Sequence, residues 1–212
     1  MAPGVRNTLL ACVAFMLLVL ALFVNNMLRD PLPTDEQLRE LGIVLLPTPR
    51  EVAPFELVDD DGEPFTNDDL EGHWTLAYFG FTNCPDICPV TLSVLGKARR
   101  QLAEAGEADP FEGLLVTVDP ERDTPEVLAE YVPYFHPDFD GATGDPEEIA
   151  RLAAQVSVAY ARAPEPDGDG YTMDHTGNLV IFNPRGDYEG LIRMPHTPQQ
   201  IVTAWRTLQA RR

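Results

Sequence analysis

Trp74-Thr75-Leu76-Ala77-Tyr78-Phe79-Gly80-Phe81-Thr82-Asn83-Cys84-Pro85-Asp86-Ile87-Cys88-Pro89 is the stretch on which the reading of this chain turns. From Trp74 to Thr82 it is aromatic, aliphatic and uncharged. A short, continuous apolar run of this kind reads as a strand buried on both faces, in the middle of a sheet. Two cysteines and two prolines follow at its end. A helix is then expected from about Val90 to Glu104, with Leu92, Leu95, Ala98 and Leu102 at helical spacing on its buried face. Pro89 lacks an N–H and restrains Cys88, so regular helix is expected to begin only there.

Outward from that centre the pattern alternates. Phe55–Val58 and Glu63–Thr66 read as strands around the turn Asp59-Asp60-Asp61-Gly62. Leu114–Val118 is a second core strand. Thr124-Pro125 and Asp145-Pro146 each open a helix, with a capping side chain followed by proline at the first helical position. Val158–Ala163 reads as a strand and Pro164–Gly170 as an acidic loop. Asn178–Phe182 and Tyr188–Met194 form a hairpin about the turn Asn183-Pro184-Arg185-Gly186. Thr197-Pro198 caps a closing helix to Gln209. This order predicts an α/β sandwich with a central mixed sheet flanked by helices.

Ahead of this lies a different kind of sequence. Leu9–Val24 is 16 consecutive apolar residues, preceded by Arg6. With Thr8 and Met27-Leu28 the segment approaches the roughly 20 residues of a spanning helix. No Ala-x-Ala-like cleavage site follows it. Residues 1–30 are therefore expected to be an uncleaved membrane anchor, 31–50 a proline-bearing linker and 51–212 the folded domain. The positive flank places the N-terminus in the cytoplasm and the domain on the extracytoplasmic, periplasmic side.

The chain carries a net charge of −19. Such a surface repels phosphate backbones, which argues against nucleic-acid binding, and favours metal ions and cationic partners. Of three cysteines, Cys12 lies in the apolar segment, leaving Cys84 and Cys88 as the domain's single pair. That excludes a disulfide-rich scaffold and points to redox or metal chemistry. Residues four apart on a helical turn share a face, so the two sulfurs are close enough to chelate one ion or to form a disulfide. The helix N-terminus is expected to lower the thiol pKa values, and thiolates are soft ligands that suit Cu(I). Among the histidines, His73 and His136 are expected at the surface and His196 just before the last helix. His175 precedes the strand Asn178–Phe182, and by position alone it is equally a ligand or a hydrogen-bonded structural residue.

Phe79–Pro89 resembles the copper-site loop of the Sco/SenC family. Val118-Asp119-Pro120-Glu121-Arg122-Asp123-Thr124-Pro125-Glu126 and Asp174-His175 are also similar to it, and the resemblance runs in order over 47–212. It implies a thioredoxin-like fold and binding of one copper ion, as Cu(I) and also Cu(II), by Cys84, Cys88 and His175. It further implies receipt of the ion from a copper donor protein and delivery to the copper-A centre of cytochrome c oxidase subunit II, or to another cuproprotein. Asp174 is a candidate partner of His175; Asp119 and Asp123 read as turn and capping residues. The competing reading is a thiol–disulfide oxidoreductase with Cys84 attacking and Cys88 resolving. Many thioredoxin-like enzymes place a cis-proline beside the active site, whereas the corresponding segment here, Met173-Asp174-His175-Thr176, has none; this favours metal.

Overall fold

The structure, a computed structural model, describes residues 3–27, 32–107, 110–165 and 170–211. It falls into two units, 1–33 and 34–212. The first holds helix α1 (Pro3–Met27). Its stretch Gly4–Val24, 21 residues, is long and apolar enough to cross a membrane.

In the second unit the expected central strand is β4 (Thr75–Gly80), with all six residues buried. It pairs in parallel with β5 (Glu112–Thr117) and antiparallel with β9 (Leu179–Phe182). Tyr78 and Phe79 are fully buried, Tyr78 opposite Leu115 on one side and Leu179 on the other. Each such side chain contributes about 1.5–3 kcal/mol through removal from water. The full mixed sheet has eight strands, with β1 at Ile43–Arg50, β2 at Glu56–Asp59, β3 at Pro64–Thr66, β6 at Phe139–Thr143 and β10 at Tyr188–Ile192, in the order β1-β10-β9-β4-β5-β6-β2-β3. Helices α3 (Ile87–Glu104), α4 (Pro125–Tyr131), α5 (Pro146–Gln155) and α6 (Pro198–Ala210) complete the layers. The expected caps are present: Thr124, Asp145 and Thr197 each accept an N–H of the first turn, with proline following.

Four expectations need correction. Residues 31–50 are not a linker from Thr34 onward. Thr34 and Gln37 form a capping box on α2 (Asp35–Glu40), which buries Leu38. Ile43–Arg50 is β1, paired antiparallel with β10. Its prolines, Pro47 and Pro49, mask the signal. An edge strand accommodates them because its outer side needs no ladder N–H, and the register is irregular between Leu45 and Arg50. Second, α3 begins at Ile87 rather than after Pro89. Proline is tolerated in a first turn, where the N–H has no intrahelical partner. Third, β6 was not expected, since Asp140 and Gly141 are poor strand formers. A Cβ on Gly141 would lie 2.8 Å from that of Leu128, so α4 packs against β6 only because this residue is glycine. Fourth, β7 (Tyr160–Pro164) does not join the main sheet. It pairs with β8 (Tyr171–His175) in a separate ribbon. The expected acidic loop between them falls largely on 166–169, outside the described residues.

Candidate metal centre

Strand β4 ends at Gly80, and the chain turns through Phe81–Asp86 into α3. Gly80 is required here: a Cβ would sit 2.7 Å from Tyr78 Cε1 and 3.2 Å from Cys88 Sγ. Cys88, in the first turn of α3, is fully buried, while Cys84 keeps 9% exposure. No side chain caps α3 through Asp86. The Cys84 sulfur instead accepts the Cys88 N–H at 3.4 Å. The pair is unlinked.

His175, the last residue of β8, comes to the same point because Thr176–Asn178 connects directly to β9, the neighbour of β4. Its Nε2 lies 3.5 Å from Cys88 Sγ, and its Nδ1 faces the Thr176 carbonyl oxygen at 3.3 Å. A carbonyl only accepts, so Nδ1 carries the proton and Nε2 presents its lone pair to the cysteines. Tyr78 and Phe81 fix the ring edge-on, with centroids 5.7 and 5.9 Å away. Burial lowers the His175 pKa, which keeps the imidazole neutral and able to ligate. Asp174 is exposed and acts on His175 only through its field. The residue that orients the ring is therefore the Thr176 carbonyl rather than Asp174.

The ligand atoms of Cys84, Cys88 and His175 lie within 4.8 Å of one another, the one such group of three among the described residues. Donors on bonds of 2.0–2.3 Å to a common ion stand roughly 4 Å apart. Two thiols and a lone-pair imidazole thus fit a single soft or borderline cation. The expectation of a depressed thiol pKa does not hold for Cys88, whose thiol is pushed up to about 12, first by burial and then by its contact with Cys84. Desolvation outweighs the helix terminus at this depth. In the metal-free protein Cys88 is a thiol, and Tyr78 directs its hydroxyl to the sulfur at 3.9 Å.

Sequence reading missed the scaffold behind these three residues. Asp119 and Asp123 are buried, at 1% and 0% exposure. Asp123 accepts from the Thr82 N–H at 3.0 Å, the Thr82 hydroxyl at 2.5 Å and the Thr117 hydroxyl at 2.6 Å. It therefore ties the entrance of the cysteine loop to the end of β5. Asp119 accepts from Arg122 Nε and, at 2.9 Å, from the Tyr171 hydroxyl. Arg122 also donates to the Tyr171 carbonyl at 3.2 Å and lies 4.0 Å above its ring. The strand carrying His175 is thereby held at its other end. No spacing rule in the sequence reveals that Tyr171 closes onto Asp119. The remaining histidines are elsewhere: His73 pairs with Glu112, His136 with Asp138, and His196 with the Gly177 carbonyl.

Comparison with known proteins places this geometry among relatives. The SCO1/SenC family profile matches residues 45–210. The SCO2-like protein of Rickettsia felis is 38% identical over 151 residues, covering 70% of this chain and 72% of that protein. The chain spans about half the length of the longer mitochondrial relatives it matches. The crystal structure of Arabidopsis thaliana ScoI with copper bound superposes with a TM-score of 0.69 at 36% identity, covering 74% of this chain and 98% of that one. BsSco, described as a Sco-family cytochrome c oxidase assembly protein with a disulfide switch, aligns at TM-score 0.59 and 26% identity over 76% of this chain and 94% of that one.

Proposed function

The chain belongs to the SCO1/SenC family, and on that premise we propose that it is a membrane-tethered metallochaperone binding one copper ion through Cys84, Cys88 and His175. In this reading it accepts copper from a donor protein and hands it to the copper-A site of cytochrome c oxidase subunit II, or to another cuproprotein. The observation that carries the reading is the convergence of two sulfurs and one lone-pair imidazole nitrogen within 4.8 Å. The copper-bound Arabidopsis relative and the oxidase-assembly role given for BsSco support it. Helix α1, with Arg6 on its N-terminal side, anchors the chain and leaves the domain in the periplasm.

The three residues divide the work. Cys88 is the fully buried ligand, with Cys84 and the half-buried, neutral His175 above it, and loading releases the Cys88 proton to solvent. Cys84 is the more accessible of the two sulfurs, at 9% exposure against 0% for Cys88. Three donors leave one side of the ion open, so an incoming partner cysteine enters there and displaces the more accessible Cys84 and His175 before the fully buried Cys88. Anaerobic titration of the reduced full chain in detergent with Cu(I), against a competing chelator, tests this. One tightly held copper is expected, lost in Cys84→Ser and weakened in His175→Ala. Failure of the wild type to compete refutes the reading.

One observation favours a second reading, thiol–disulfide exchange: the Cys88 N–H already donates to the Cys84 sulfur at 3.4 Å, which holds the two sulfurs side by side. The Cys84 sulfur attacks a target disulfide, forming a mixed disulfide and releasing one target thiolate. Cys88 then attacks the Cys84 sulfur of the mixed disulfide, its proton passing to the departing target sulfur, which leaves a Cys84–Cys88 disulfide and a reduced target.

A further inference from the structure

Strands β4 and β10 both run antiparallel to β9, so they leave the sheet at the same rim. Each leads directly into a helix, α3 and α6, and those two helices pack against each other. The surface they share begins beside the cysteines. Its composition departs sharply from the rest of the chain. Neither 87–103 nor 190–212 contains a single Asp or Glu, although the chain has 34. The same two stretches hold seven of its 15 Lys and Arg residues. Their upper end is apolar and open to solvent, with Ile87 38%, Val90 52% and Met194 45% exposed. One turn beyond Cys88, a depression of about 330 Å³ is lined by Pro89, Val90, Ser93, Val94 and Lys97. Lys97 is exposed at its edge, whereas Arg99 and Arg100 are engaged with Asp138 and backbone carbonyls.

We propose that the α3 surface from Ile87 to Lys97 is the docking face for the copper-accepting protein, which presents an apolar side chain flanked by carboxylates. The inference rests on the delivery reading above and names the chemistry of its partner. A domain this acidic repels an acidic protein from almost every direction. The acid-free face, which begins just after the exposed Asp86, is where such a partner can approach, and it lies beside Cys84, the more accessible of the two sulfurs. Electrostatics then selects the productive orientation, the apolar depression holds it, and the partner's cysteine arrives at Cys84. Pro89 and Val90 follow Cys88 directly, so docking and ligand exchange occur within one helical turn of each other.

The test uses the copper-loaded full chain in phosphatidylcholine nanodiscs and the soluble copper-A domain of an oxidase subunit II as acceptor. Val90→Asp and Lys97→Glu are each expected to slow transfer to that domain by about tenfold. Their transfer to a small copper chelator should stay within twofold of wild type. Raising salt from about 50 to 300 mM should slow the wild type more than Lys97→Glu. Equal rates in variants and wild type overturn the proposal. So does a variant effect that appears only when phosphatidylglycerol is added, which assigns the face to the bilayer, or one that only abolishes self-association, which assigns it to a second copy. No transfer by the wild type, with chelator transfer intact, refutes the delivery reading itself and the docking face with it.

Discussion

Asp123 holds Thr82 twice, accepting its backbone N–H at 3.0 Å and its hydroxyl at 2.5 Å. Thr82 lies two residues before Cys84, so a buried carboxylate from the loop after β5 sets where the cysteine turn begins. In the sequence Asp123 reads as a turn or capping residue and Thr82 as the end of the core strand; in the fold they form a joint between two crossover connections.

Asp123→Ala leaves the Thr82 and Thr117 donors unpaired in a buried place, at a cost of about 2–4 kcal/mol. For a domain of this size that lowers the melting temperature by roughly 5–15 °C. Copper affinity should fall with it. Asp123→Asn, which keeps one acceptor oxygen, should lose less on both counts. Calorimetry and chelator competition on the two variants check this.

Gly80→Ala puts a methyl group 2.7 Å from the Tyr78 ring and 3.2 Å from the Cys88 sulfur. Overpacking of that kind costs about 1–3 kcal/mol. The sulfur must shift, so Cu(I) affinity should drop by about tenfold or more, a change of at least 1.4 kcal/mol in binding. Unchanged affinity in a folded variant would contradict the placement of Cys88.

Tyr171→Phe removes only the hydroxyl that Asp119 accepts, leaving the ring between Arg122 and Arg162. The loss of one hydrogen bond to a buried carboxylate costs about 1.5–3 kcal/mol. His175 ends the strand that Tyr171 begins, so amide exchange along 171–175 should accelerate while the far edge of the sheet is unaffected.

The Asp140 carboxyl is pushed up to about 6 by partial desolvation and by the carboxylates of Asp60, Glu112 and Asp59, from an ordinary value of 3.8. Between those two values the folded chain binds more protons at this site than the unfolded chain. Its contribution to stability therefore grows as pH falls from 7 toward 4. Asp140→Asn should melt higher than wild type at pH 7, and the difference should vanish near pH 4. A difference independent of pH would show that the ionised carboxylate is not the cause.

The reading of Trp74–Pro89 was sufficient for the centre of the sheet and for both cysteines, because a continuous apolar run at a strand-to-helix junction leaves few alternatives. Helix starts at Thr124, Asp145 and Thr197 were legible for a similar reason, since proline after a capping residue is a local signal. What failed was non-local. Pro47 and Pro49 disguised β1, whose pairing depends on a strand about 145 residues later. Asp140 and Gly141 hid β6, which needs α4 to explain its glycine. His175 was singled out by resemblance rather than by position, and the carbonyl that orients it belongs to the next residue, where no side-chain pattern shows.

The ends of the sheet have a consequence for how this chain behaves among its neighbours. One outermost strand, β1, contains Pro47 and Pro49; the other, β3, is three residues long and starts with Pro64. Neither offers an uninterrupted row of free N–H and C=O groups, so the fold resists growth by strand addition into aggregates. With α1 as the proposed anchor, chains would share a membrane plane at high local concentration, and that protection of the main sheet would leave helix faces and loops as the surfaces through which they meet.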